Sequence, residues 1–158
     1  MSALFTRFIA LWTLPDHAPV PVDPEALDGA EIRLGLLVPD AYRRSLVAHG
    51  APSTSAALLA RIVDQDVDMA DVQDFFSPAD IVQVTEEWRA LGLPANLLAF
   101  ASDCAGNLFC FECPSPPGPR EPDALVWLWN QDFDRKRRVA PSFKTWISAF
   151  CDIAPRSD

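Results

Sequence analysis

Residues 97–112, LLAFASDCAGNLFCFE, decide the fold that this sequence predicts. Residues 97–101 and 108–112 are almost wholly apolar, and residues 103–107 between them carry the Asp, Gly and Asn of a tight turn. Short apolar runs separated by turn residues are typical of two strands joined in a hairpin. We therefore predict a buried hairpin here, in which turn geometry accounts for the polar residues without a ligand.

A third strand is predicted at residues 124–129, ALVWLW, where both alternating sets of side chains are apolar. Apolar residues on both faces indicate a strand that lies centrally in the sheet or is covered on both sides. Trp127 and Trp129 in this strand, and Trp146 further along, are therefore expected in the core. An aromatic wall for binding is the alternative.

Segments with the spacing of amphipathic helices precede and follow these strands in the sequence. Apolar residues at positions 143, 146, 147 and 150 predict an amphipathic helix from about Ser142, and Ser77-Pro78 is a start signal for a helix over 78–91. Upstream, the pattern predicts an N-terminal helix at 3–13, a proline-rich linker at 15–24, a short helix or turn at 24–36, and helices at 40–48 and 55–63.

The order of these elements predicts the fold class. A chain of 158 residues with 49% hydrophobic residues fits one compact core. Helices first, then strands, then a closing helix is an α+β order. The prediction is a single α+β domain over residues 1–158, with one mixed or antiparallel β-sheet packed with helices.

The N-terminal region, residues 1–14, is apolar but is not a typical signal peptide. Arg7 interrupts the apolar run, and neither a basic leader nor a small-residue cleavage pattern is present. No stretch approaches the roughly 20 apolar residues of a membrane span. We expect a cytoplasmic protein that does not contact the membrane.

The net charge of −9 has a local source, because every charged residue from 64 to 87 is Asp or Glu. Nucleic-acid binding depends on cations that neutralise phosphates, so this segment argues against a nucleic-acid partner. It suits a basic protein partner. An ordinary solvated surface is the alternative.

The cysteines and histidines do not predict a metal, cofactor or catalytic site. Cys110 and Cys113 have the spacing of half a zinc ribbon, but in a strand such positions point to opposite faces. His17 and His49 have no spacing that pairs them with a nucleophile or a metal ligand. Glycine-rich phosphate loops are absent. Reduced, packed thiols are therefore expected for all four cysteines.

The only basic run, Arg135-Lys136-Arg137-Arg138, lies between the last predicted strand and the last predicted helix. We predict an exposed loop whose cations pair with nearby acids, with a phosphate contact as the alternative.

Several short motifs in a fixed order resemble the SMI1/KNR4, or SUKH, superfamily over about residues 25–150. They are LLVPDAYR at 36–43, the Ser-Pro-x-x-Ile helix start with Trp88, the strands at 97–100 with DCAGNLF at 103–109, VWLW at 126–129, and APSFKTWI at 140–147. Each motif alone is weak, but their combination in this order is fairly specific.

The resemblance implies an α+β fold and a non-catalytic, protein-binding function. Bacterial members are commonly immunity proteins that bind and neutralise a cognate toxin, often a basic nuclease, and an acidic protein would complement such a toxin. A regulatory or scaffolding adaptor of the same fold is the alternative, and an enzyme is a further one. The candidate contact residues are Asp64, Asp66, Asp68, Asp71 and Asp74, with Asp132 and Asp134 as a second candidate surface.

Overall fold

The computed structural model describes residues 1–130, 132 and 135–153, and they form one α+β fold. The helices are α1 (Ser2–Trp12), α2 (Pro24–Leu34), α3 (Asp40–His49), α4 (Ala56–Asp64), α5 (Pro78–Arg89) and α6 (Phe143–Cys151). The strands are β1 (Asp74–Phe75), β2 (Leu97–Ser102), β3 (Leu108–Glu112), β4 (Val126–Asn130) and β5 (Arg135–Ala140). They make one sheet in the order β1-β2-β3-β4-β5, in which every pair is antiparallel. The predicted fold class is confirmed.

The hairpin at 97–112 forms as predicted, with Leu98 opposite Phe111 and Ser102 opposite Leu108. Its turn is held by Asp103, whose Oδ1 accepts hydrogen bonds from the backbone amides of Ala105 (2.9 Å) and Asn107 (2.8 Å). These bonds account for the polar residues of the turn within the chain itself.

Aromatic rings fill the space between this hairpin and α6. Phe100 on β2 stacks on Phe111 of β3 with ring centroids 3.8 Å apart, and Phe143 and Trp146 of α6 pack edge-on against Phe100. Burying a ring stabilises the fold in proportion to its large apolar area. The predicted last helix, Ser142 onward, therefore covers the sheet, and Ser142 caps its first turn.

The N-terminal helix α1 completes this core. Phe8 packs against Phe75 of β1 and Phe150 of α6, with ring centroids 5.5 and 5.9 Å apart. The buried Trp12 indole donates a hydrogen bond of 3.0 Å to the carbonyl oxygen of Phe150. Residues 15–23 then lead to α2, whose first turn is capped by Asp23. None of the helices in the described ranges is both long and apolar enough to cross a bilayer.

A buried carboxylate joins α2, α3 and the β3–β4 connection. Glu31 on α2 is 5% exposed and accepts a 2.8 Å hydrogen bond from the Val38 amide. Its other donors are Arg43 of α3 at 3.2 Å and Arg120 of the connection, which contacts both carboxylate oxygens. Such a charge is tolerated inside a protein only when it is paired and hydrogen-bonded, as it is here.

The structure corrects the prediction for residues 135–138. They are exposed, but they belong to strand β5 and not to a loop, with Lys136 opposite Trp129 and Arg138 opposite Trp127. The sequence did not predict this strand because strands are recognised by β-branched and aromatic residues, and residues 135–138 contain neither. Edge strands are the exception, since Lys and Arg are common there.

Candidate partner-binding surface

Residues 64–74, which we call the acidic segment, lead from the C-terminal end of α4 to β1 and form no helix or strand between them. Val67, Met69 and Ala70 pack against the core, whereas Asp66 and Asp68, on either side of Val67 in the sequence, are exposed. The amide of Val67 donates to the carbonyl oxygen of Ile62 at 3.0 Å, which ties the stretch to α4. The apolar residues thus anchor the segment, and the aspartates project into solvent.

The exposed part of this segment lies beside two exposed apolar residues. Leu59 and Val63, one turn apart on α4, are 37% and 68% exposed. Asp64 is exposed, and its carboxylate lies 3.9 Å from the guanidinium of Arg61, at the outer limit of an ion pair. We call Leu59, Val63, Asp64, Asp66 and Asp68 the acidic patch.

Two of the predicted contact residues point elsewhere. Asp71 is 6% exposed and accepts a hydrogen bond of 3.2 Å from the backbone amide of Cys104. Asp74 is half-buried in β1 and accepts a 2.6 Å hydrogen bond from the Ser53 hydroxyl. Asp71 is therefore not part of the contact surface, because its burial prevents contact with a partner. Asp74 lies at the C-terminal end of the acidic segment.

The second predicted surface is only partly described. Asp132 is exposed in the connection between β4 and β5, and its amide donates a 3.0 Å hydrogen bond to the side chain of Asn130. Asp134 lies outside the described residues. Among the described residues, no hydrogen bond or ion pair joins Asp132 to the acidic patch.

Cys104 is exposed, so the packing predicted for this cysteine is wrong, and Asp71 lies beside it. Its hydrogen bond with the Cys104 side chain raises the pKa of the thiol, and desolvation and the nearby carboxylate charge act in the same direction. The thiolate is the nucleophile, so a raised pKa slows alkylation. We expect Asp71→Asn to speed the reaction of Cys104 with iodoacetamide several-fold at pH 8, because the pKa falls and the thiolate fraction rises.

The measurement is peptide mass spectrometry of the labelled chain over time. Cys110, Cys113 and Cys151 are buried and free, and they serve as internal controls for unfolding. Asp68→Asn, which removes an exposed carboxylate from the same stretch of chain and leaves Asp71 in place, is the matched variant. If the alkylation rate of Cys104 is unchanged in Asp71→Asn, the Asp71 carboxylate does not raise the pKa of the Cys104 thiol.

A cleft of about 360 Å³ adjoins the acidic patch. The buried rings of Phe109 and Trp146 line it, and Asp68 together with Arg137 and Arg138 of β5 also contribute to its lining. The lining is mainly apolar, and it includes side chains of both charges. The sequence did not predict this cleft, because its walls come from segments about 70 residues apart along the chain.

The described residues contain no group of three or more His, Cys, Asp or Glu side chains placed to hold a metal ion. His49 packs against the ring of Phe5 at 5.7 Å, and His17 lies in an exposed turn. The raised pKa of Cys110 and of Cys113 has burial as its main cause, which keeps both thiols protonated.

The comparisons with known proteins agree with the architecture. No curated protein matches the chain significantly. The model of the SMI1 / KNR4 family (SUKH-1) matches residues 21–149, which is well over half of the chain and includes every element from α2 to β5. This match supports the resemblance that the motifs indicate, and the chain belongs to the SMI1/KNR4 family, SUKH-1.

Proposed function

We propose that this chain is a non-catalytic immunity protein that binds a cognate basic toxin, such as a nuclease, and masks it. The observation that carries the proposal is the acidic patch, in which exposed carboxylates directly follow the exposed apolar side chains at the end of α4. Protein interfaces commonly combine an apolar centre with a charged rim. Membership of a family in which immunity proteins are common supports the same function.

Charge supports the binding step of this proposal. The chain carries a net charge of −9, and among the described residues only Arg61 lies within ion-pair distance of the exposed aspartates of the patch. An unneutralised acidic surface attracts a basic partner over a distance of about 10 Å at 0.1 M salt. Complementary potential therefore speeds association and fixes the orientation of the partner.

Apolar contacts support the persistence of the complex. Leu59 and Val63 are exposed apolar side chains on helix α4, whose Leu58 and Ile62 are buried in the core. A partner that covers Leu59 and Val63 removes apolar surface from water, which slows dissociation. The same partner places cations near Asp64, Asp66 and Asp68.

We expect the triple variant Asp64→Asn, Asp66→Asn, Asp68→Asn to lower the association rate with the toxin domain at least about tenfold at low salt. The measurement is surface plasmon resonance with the toxin domain encoded beside this chain, at two salt concentrations. The control is Asp16→Asn, Glu25→Gln, Glu121→Gln, which removes the same charge from exposed carboxylates elsewhere. It should change the rate by no more than about twofold.

Two outcomes count against the proposal. If the unmodified chain neither binds the toxin domain nor protects growth, the immunity function is wrong. If it binds but both triple variants behave alike, the acidic patch is not the interface.

A further inference from the structure

Strand β5 presents an unpaired edge. The sheet ends at β5, which pairs with β4 on one side, and no strand in the described part of the chain pairs with its other side. Its six residues, Arg135–Ala140, are long enough to hydrogen-bond an added strand. Exposed strand edges are the sites at which extended peptides join a sheet.

The charge of this edge is unusual for the molecule. Arg135, Lys136, Arg137 and Arg138 are all exposed, and no described carboxylate lies within ion-pair distance of them. Elsewhere Arg33, Arg43, Arg44, Arg61 and Arg120 each contact an Asp or Glu. In the described part of the chain, four cations that pair with no carboxylate thus lie on one strand, although the net charge of the chain is −9.

The side chains of β5 lie on both faces of the sheet beside the unpaired edge. Successive residues of a strand point to opposite faces, so the cations lie above and below the edge. Lys136 lies over the ring of Trp127 with its ammonium 4.5 Å from the centroid, a contact that holds the side chain in place. On the other face, Arg137 and Val139 line the cleft beside Phe109 and Trp146.

We propose that β5 docks an extended acidic segment of a partner protein, which adds a strand to the sheet. Carboxylates at alternate positions of that segment pair with the β5 cations, and an apolar side chain of the segment enters the cleft. Backbone hydrogen bonds supply affinity, while charge and the cleft supply selectivity. This inference does not depend on the proposed function, because it concerns the edge of β5 and a partner segment of opposite charge. Asp68 of the acidic patch also lines the cleft beside this edge.

Other occupants fit less well. Two copies of this chain joined edge to edge at β5 would place like charges together, which is unfavourable. Single-stranded nucleic acid gains affinity by stacking its bases on exposed aromatic rings, and Lys136 already covers the ring of Trp127. Protection against aggregation explains a charged edge, but it predicts no binding at all.

The experiment measures fluorescence anisotropy of labelled peptides titrated with the full chain. The probe is an eight-residue peptide of alternating Glu and Val. The comparison peptides are its Lys–Val counterpart and a Glu–Val form N-methylated at every residue, which leaves neither edge of the peptide able to donate backbone hydrogen bonds. An eight-nucleotide oligothymidine tests for nucleic acid. We expect the Glu–Val peptide to bind at least about tenfold more tightly than each of the other three probes.

The matched variants separate this edge from overall charge. Arg135→Glu with Lys136→Glu should weaken peptide binding at least about tenfold, whereas Arg33→Glu with Arg44→Glu, which changes the net charge equally, should alter it by no more than about twofold. Circular dichroism checks that both fold. Equal binding of the N-methylated peptide, tighter binding of the oligonucleotide, equal effects of the two variants, or no binding of any probe would each overturn the proposal.

Discussion

Replacing Glu31 by Gln will lower the free energy of unfolding by about 3 kcal/mol. The substitution preserves shape but removes the charge that Arg43 and Arg120 share, and it turns an amide group toward their donors. Those guanidiniums are only 17% and 29% exposed, so water replaces the lost carboxylate incompletely. Urea unfolding followed by circular dichroism measures the change.

The control for this prediction is Glu86→Gln. Glu86 pairs with Arg33 at 2.8 Å, a shorter distance than that between Glu31 and Arg43, but the two side chains are 39% and 66% exposed. An exposed pair contributes about 0 to 1 kcal/mol. If the two substitutions cost the same, burial of the Glu31 carboxylate does not determine its contribution.

Replacing Gly50 by Ala will cost about 3 kcal/mol or more, because two effects add. Gly50 ends α3 with φ at 95°, a conformation that residues with a Cβ rarely adopt. An added Cβ would also overlap the peptide group of Val20, with the Val20 nitrogen only 2.8 Å away. Backbone atoms cannot rotate aside, so either the connection between α1 and α2 or the end of α3 must move. Thermal unfolding gives the measurement.

Two other glycines separate these effects. Gly35 has φ at 67° but open space around its Cα, so Gly35→Ala should cost only the conformational part, about 1–2 kcal/mol. Gly29 lies inside α2 with open space, and Gly29→Ala should stabilise the chain by about 0.5–1 kcal/mol. A cost at Gly50 no larger than at Gly35 would mean that the close approach of Val20 contributes nothing.

The elements that the sequence predicts well are those with a strong period. The hairpin strands and α6 bury a regular set of apolar side chains, so spacing alone locates them to within a few residues. Strand β1 has only two residues and shows no period. Strand β5 lacks an apolar face over most of its length, so its conformation depends on pairing with β4.

The candidate site was predictable only in part, because burial of a single aspartate depends on distant residues. Asp68 and Asp71 have similar acidic surroundings in the sequence, yet Asp68 is exposed and Asp71 bonds to Cys104 on the hairpin turn. The Glu31 network escapes sequence analysis for the same reason, since Arg120 is 89 positions away along the chain. Opposite charges at such separations give no local pattern.

Helix α1 has a consequence for the way this domain is divided. The family match begins at residue 21, after α1 has ended, yet Phe8 and Trp12 are buried against α6 near the other end of the chain. A protein shortened to the matched residues would expose Phe75 and lose the C-terminal part of α6 together with the helix that covers it. The boundary of the family match is therefore not a boundary of the packed core, because α1 and the end of α6 lie outside the match and are buried in that core.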